Sequence, residues 1–253
     1  MNEIVLKQWN AEDLSFHKDI KVAFSQCTPD MKMSWAEILR FTTDNAGEDF
    51  TQRGMSWEFL QEKGLVIIVS RISFRVVKMP VAQQIIRLNT WEAAAQGPLC
   101  TRDFEIVDAV TGEKLVYAQS LWTILDFKNK KLMPAKAYPY RPTPMNPSPF
   151  DGLKPAKISI PEDMEVLGKH KILYSELDAN GHTNNSRYIN FALDYIPAEY
   201  QTKELKDFRL NYSKEAHLGD ELVIKGKYIP EENKYLIQGL VEEASSFECE
   251  LYY

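Results

Sequence analysis

The hydrophobic positions of residues 184–197 recur at helical spacing. Tyr188, Phe191, Ala192, Tyr195 and Ile196 follow the i, i+3, i+4, i+7, i+8 order of a helix that buries one face. Asn184 or Asn185 supplies an N-cap acceptor, and Pro197 ends the helix because it has no N–H to continue the ladder. Residues 34–46 predict an equivalent helix, with Ile38, Leu39 and Phe41 on its apolar side. Elsewhere the period shortens to two. Phe208, Leu210 and Tyr212 alternate with Arg209, Asn211 and Ser213, the pattern of a half-buried strand. Further strands are predicted at 65–79, 82–95, 99–109 and 114–127, then at 219–229, 234–242 and 246–252. Turn signals such as Thr111-Gly112 and Glu232-Asn233 join neighbours into hairpins. The expected class is α+β, with each half a long helix against a meandering antiparallel sheet.

The two halves resemble each other. FSQCTPDMKMSWAEILRF (24–41) aligns without a gap on YSELDANGHTNNSRYINF (174–191) at an offset of 150, and FRVVKMPVAQQIIR (74–87) aligns on YSKEAHLGDELVIK (212–225) at an offset of 138. The smaller second offset means extra residues in the first half, which DNAGEDFTQRGMSWEFLQEKG accounts for. Between the halves, eight of the 13 prolines fall between Pro134 and Pro161, a density that forbids a regular helix or a central strand. The reading is an internal duplication: residues 1–133, a Pro-rich linker at 134–161, and residues 162–253.

Composition narrows the function classes. With 44% hydrophobic and 26% charged residues, the chain can bury a core and is not dominated by disorder. Its longest aliphatic run, Leu65 to Val69, is far short of the ~20 residues that cross a bilayer. A net charge of −6 argues against nucleic acid as the main partner. Cys27, Cys100 and Cys249 make no disulfide framework, and MNEIVLKQWNAED reads as neither secretion signal nor transit peptide. A soluble, cytoplasmic protein without a membrane partner is expected.

Chemistry concentrates in one loop. Asp178, Asn180, His182, Asn184 and Asn185 fall within eight residues ahead of the 184–197 helix, where free N–H groups and the positive dipole end suit a developing oxyanion. Asp and Asn also cap and turn loops for purely structural reasons. The repeat separates these readings. Thr28, Asp30 and Lys32 stand where the second half has Asp178, Asn180 and His182, and Val77 stands opposite Glu215. Polar residues needed only for folding should persist in both copies, so the asymmetry points to one functional site, in the second half.

The Asp178-x-Asn180-Gly-His182-x-Asn-Asn-x-x-Tyr188 stretch resembles the signature loop of hotdog-fold thioesterases. Leu210-Asn-Tyr-Ser-Lys-Glu-Ala-His-Leu-Gly-Asp220 is similar to the strand of acyl-ACP thioesterases that supplies a catalytic glutamate, and residues 91–132 resemble that family's N-terminal domain. The resemblance implies two tandem hotdog domains, with the first holding the acyl chain and the second catalytic. It implies hydrolysis of fatty acyl-ACP to free fatty acid and holo-ACP, with Asp178, Asn180, His182 and Glu215 as the catalytic set. Backbone N–H groups near Gly181 to Thr183 are expected to hold the oxyanion. Many plant members carry cysteine after that glutamate; here Ala216 stands there, which excludes a Cys–His mechanism at this position and favours general-base activation of water.

Acyl carrier protein is the implied partner. Between Lys128 and Lys171 nine Lys and Arg stand against four Asp and Glu, a basic strip that would attract an acidic carrier. A monomeric double hotdog or a homodimer is expected, on the bacterial branch of the family. No cofactor is implied, and a metal site built from His182, His217, Asp178 and Glu215 is not expected, because no ligand pair among them has a familiar zinc spacing. An acyl-CoA thioesterase and a non-catalytic acyl-binding protein are the alternatives. His17 and His170 read as surface or turn residues, and the Met and aromatic positions from Met31 to Phe59 as core.

Overall fold

The computed structural model describes residues 6–135, 146 and 150–253. Of the Pro-rich linker predicted at 134–161, residues 136–145 and 147–149, with Lys136 and Arg141 of the basic strip, lie outside the described residues. The chain divides into two compact units: residues 1–70 with 76–152, and residues 153–253 with Arg71–Arg75.

In the first unit, β1 (Gln8–Asn10) and β2 (Phe16–Lys21) precede a long helix, α1 (Trp35–Gln52), and a short one, α2 (Trp57–Lys63). Strands β3 (Leu65–Val76), β4 (Ile85–Gln96), β5 (Leu99–Asp108), β6 (Lys114–Asp126) and β7 (Lys131–Met133) follow. The antiparallel order is β1-β2-β4-β5-β6-β3, with β7 on β6. Ser34 caps α1 by accepting from the N–H of Glu37, and Ser56 caps α2 by accepting from the N–H of Phe59. α1 covers β2 and β4 and buries Ile38, Leu39, Phe41 and Phe50. Each such side chain contributes about 1.5–3 kcal/mol through the apolar area it removes from water. The same face buries Thr42, Asn45 and Asp49. Of the aromatic and Met positions expected in the core, Met33, Phe41, Phe50 and Met55 are buried, whereas Met31 and Trp57 are exposed.

The second unit repeats the plan with a shorter helix. β8 (Glu165–Lys171) is followed by α3 (Arg187–Tyr195) and α4 (Ala198–Gln201). Then come β9 (Asp207–Tyr212), β10 (Glu221–Ile229), β11 (Lys234–Val241) and β12 (Ala244–Tyr252). Arg71–Arg75 of β3 pairs with β9, and the order continues β9-β12-β11-β10-β8. α3 lies on β8, β10 and β12 and buries Tyr188, Ile189, Phe191 and Ala192. Gly168 of β8 makes room for it. A Cβ there would stand 2.5 Å from the Tyr195 ring, whose hydroxyl donates to the Lys169 carbonyl at 2.8 Å.

Candidate active site

The loop before α3 is a tightly hydrogen-bonded turn. Asp178 N donates to His182 O at 2.8 Å and Gly181 N donates to Asp178 O at 3.0 Å. The Asp178 carboxylate accepts from the N–H of Asn180 at 2.8 Å and of His182 at 3.3 Å. Gly181 sits at φ 79°, the left-handed region that costs an L-residue about 1–2 kcal/mol, and this is the physical need for glycine there. The N-cap expected at Asn184 or Asn185 is not there: residues 185–186 form a turn, and α3 starts at Arg187 with Ser186 at its N-cap and no side-chain cap bond. Asn184 Oδ1 instead closes the preceding turn by accepting from Ser186 N at 2.9 Å.

The connection between β9 and β10 meets this loop. His182 and His217 face each other as an antiparallel bridge, and both the N–H and the hydroxyl of Thr183 donate to Ala216 O at 2.9 Å. The clamp brings His182 Nδ1 to 3.3 Å from Glu215 Oε1. The His182 and Glu215 side chains are 34% and 60% exposed, so water reaches both. Asn180 is exposed and Asp178 half-buried. The structure thus brings His182 together with Glu215, and ties Asp178 to the backbone of Asn180 and His182.

Three expectations are corrected. Glu215 is not on a strand: β9 ends at Tyr212, and Glu215 lies in the connection that follows it. The N–H groups of Gly181, His182 and Thr183 already donate to Asp178 O, Asp178 Oδ1 and Ala216 O, so they are not free for an oxyanion. The register of the second repeat shifts by two. Met33 N donates to Pro80 O as Thr183 N does to Ala216 O, and Val22 N donates to Gln84 O as Ile172 N does to Asp220 O. Those pairs fix an offset of 136, so Met79, not Val77, stands opposite Glu215. The asymmetry between the copies is unchanged. In the first copy Asp30 pairs with Lys32 at 3.3 Å and Thr28 donates to Asp30, a loop closed on itself.

No thiol is poised as a nucleophile. Burial pushes the thiols of Cys27, Cys100 and Cys249 up from their ordinary value, and the last two are buried. His17 and His170, expected at the surface or in turns, are half-buried on β2 and β8. His170 Nε2 lies 2.9 Å from Glu176 Oε1. His17 Nδ1 lies 2.6 Å from Asn89 Oδ1, and its Nε2 lies 2.7 Å from Ser15 Oγ. These last residues line a cavity of about 420 Å³ in the first unit, with Asp13, Trp91 and Glu105. Its members are scattered along the chain, which is why no motif announced it.

Two family models match the chain. The acyl-ACP thioesterase N-terminal domain covers residues 13–137 and the C-terminal domain residues 162–250. The chain belongs to the acyl-ACP thioesterase family. Among sequence relatives, an acyl-[acyl-carrier-protein] hydrolase of Cuphea viscosissima is 28% identical over 173 residues, 66% of this chain and 42% of the relative. An oleoyl-acyl carrier protein thioesterase of Arabidopsis thaliana is 27% identical over 199 residues, 71% of this chain and 50% of the relative. The chain therefore spans about half the length of the curated relatives it matches. Among solved structures, an acyl-ACP thioesterase from Bacteroides thetaiotaomicron matches at TM-score 0.84 and 22% identity, over 94% of this chain and 97% of its own. The 12:0-ACP thioesterase from Umbellularia californica matches at TM-score 0.77 and 16% identity, over 96% and 98%. The fold is α+β, two tandem hotdog domains of the acyl-ACP thioesterase family. Among the described residues, no helix is long and apolar enough to cross a membrane.

Proposed function

We propose that the chain hydrolyses fatty acyl-ACP to free fatty acid and holo-ACP, with Asp178, Asn180, His182 and Glu215 as its catalytic set. The observation that carries this reading is the 3.3 Å approach of His182 Nδ1 to Glu215 Oε1 on a clamped, water-accessible scaffold. A charge-assisted hydrogen bond is shorter than this, and such pairs tighten when substrate binds.

Glu215, with His182 beside it, takes a proton from water as the water oxygen adds to the thioester carbonyl carbon. The tetrahedral intermediate carries the negative charge on the former carbonyl oxygen. With the backbone donors of the loop already engaged, the exposed Asn180 amide is the group that orients the thioester and meets this charge. One such donor contributes about 3–4 kcal/mol. Asp178 is a positioning residue, because its carboxylate holds the N–H groups of Asn180 and His182. Collapse breaks the C–S bond, and the leaving thiolate takes back the proton held by the Glu215–His182 pair. Family membership and the named relatives support acyl carrier protein as the partner, and the three cysteines, none in a disulfide, support a reducing, cytoplasmic setting. The first unit is the one proposed to hold the acyl chain.

The test compares carriers. At equal chain length, kcat/KM for acyl-ACP should exceed that for acyl-CoA by about tenfold or more, equivalent to roughly 1.4 kcal/mol of preferential transition-state binding. Equal or reversed preference would favour the acyl-CoA thioesterase, and acyl binding without turnover would favour a non-catalytic protein.

A further inference from the structure

Two imidazoles and a carboxylate, distant in the sequence, converge on the second unit. His182, Glu215 and His217 each offer one ligand atom, and these atoms all lie within 4.8 Å of one another. A tetrahedral zinc ion binds His nitrogen and carboxylate oxygen at about 2.0–2.2 Å, which sets its ligand atoms roughly 3.4 Å apart. The His182–Glu215 edge, at 3.3 Å, already has that length. The remaining approach is within reach of side-chain rotation alone, since Glu215 and His217 are exposed.

The backbone beneath these side chains is fixed. His182 and His217 are bridge partners with ring centroids 5.0 Å apart, edge to face. His217 N donates to Asp220 Oδ2 at 2.8 Å, and Thr183 ties the two segments together through Ala216 O. Exposure gives an ion an entry path and leaves a fourth position for water. Nitrogen donors suit zinc, whereas magnesium and calcium take oxygen shells. The first copy serves as an internal control, because Lys32, Met79 and Val81 occupy the same three places and offer no comparable donor set.

We propose that His182, Glu215 and His217 form a binding site for a zinc-class divalent ion, and that an ion bound there inhibits the enzyme. Coordination engages the lone pairs with which Glu215 and His182 would accept the proton of water. The binding stands on the donor geometry; only the inhibition rests on the hydrolase reading.

Cobalt(II) titrated into the full chain, followed by its visible absorption, reads binding independently of activity. The expected result is one cobalt per chain with four-coordinate intensity, displaced by zinc. His217→Asn should weaken this binding by more than the roughly 10–100-fold that loss of a supporting outer hydrogen bond costs. Zinc should inhibit acyl-ACP hydrolysis with a midpoint equal to the zinc dissociation constant that the cobalt displacement gives, a chelator should restore activity, and whatever hydrolysis His217→Asn retains should be insensitive to zinc. Cobalt affinity equal in wild type and His217→Asn overturns the site. Zinc that binds stoichiometrically yet raises or spares the rate overturns the inhibition. A chain that binds cobalt but never hydrolyses acyl-ACP contradicts the hydrolase reading and leaves the site standing.

Discussion

Arg102 is 1% exposed, an uncommon place for a guanidinium, and its surroundings explain how it stays there. Its Nη2 donates to Asp49 at 2.7 Å, its Nη1 donates to Thr90 at 3.2 Å, and its guanidinium lies 4.6 Å from the centre of the Phe50 ring. Burial lowers its pKa, and the Asp49 carboxylate opposes that shift. Removing one partner leaves the other charged and buried, so Asp49→Ala should cost about 3–5 kcal/mol in chemical denaturation. Arg102 also lies 3.4 Å from the buried Glu92 carboxylate, so Asp49→Leu with Arg102→Met and Glu92→Leu should recover most of that loss; a triple variant as unstable as the single one would contradict the assignment. At the candidate site, the individual residues were legible and their partnerships were not. Asp178, Asn180 and His182 stand out because the first copy replaces each of them. The approach of His182 to Glu215 depends on a bridge between segments more than thirty positions apart, which no local pattern encodes.

The β5–β6 hairpin carries its own pH dependence. The Asp108 carboxylate accepts from the Gln84 side chain and from the N–H groups of Val110 and Thr111, which favour its ionised form and hold it down at about 2, against an ordinary 3.8. The folded-state value lies below the unfolded one. The stabilisation is therefore fully present above about pH 4 and is lost as pH falls through about 2. Asp108 is half-exposed, so solvent screening keeps the effect modest. Thermal melts should show Asp108→Asn less stable than wild type at pH 6 and the gap closing towards pH 2; a gap independent of pH would rule this out.

Sequence periodicity gave the long strands within a few residues, because each alternates over a buried face. It missed β8, whose EVLGKHK is an exposed edge strand with little apolar signal. It also ended the first helix at 46, whereas α1 continues to Gln52. The reason is chemical: Thr42 and Asn45 lie on the buried face but donate to the carbonyls of Leu39 and Phe41, so polar residues continue where an apolar stripe was sought. The two-residue slip between repeats has a similar origin. The connection after β9 is held by hydrogen bonds to its neighbours, and side-chain resemblance does not report those.

At the scale of the molecule, the same backbone scheme occurs twice with different contents. In the first unit the scheme ends in an Asp30–Lys32 pair and Met79, none arranged for proton transfer. In the second it ends in Asp178, Asn180, His182 and Glu215. A fold that places one loop against one connection supplies the geometry in both cases, and the side chains decide which copy can act on a thioester. The central claim is that Glu215, with His182, activates water for acyl-ACP hydrolysis. The most direct measurement is the steady-state rate of Glu215→Gln on saturating acyl-ACP, with Asp178→Asn alongside. The predicted result is a fall in kcat of about 100- to 10,000-fold for Glu215→Gln, the range a general base supplies, with KM little changed. Wild-type turnover by Glu215→Gln would contradict the account.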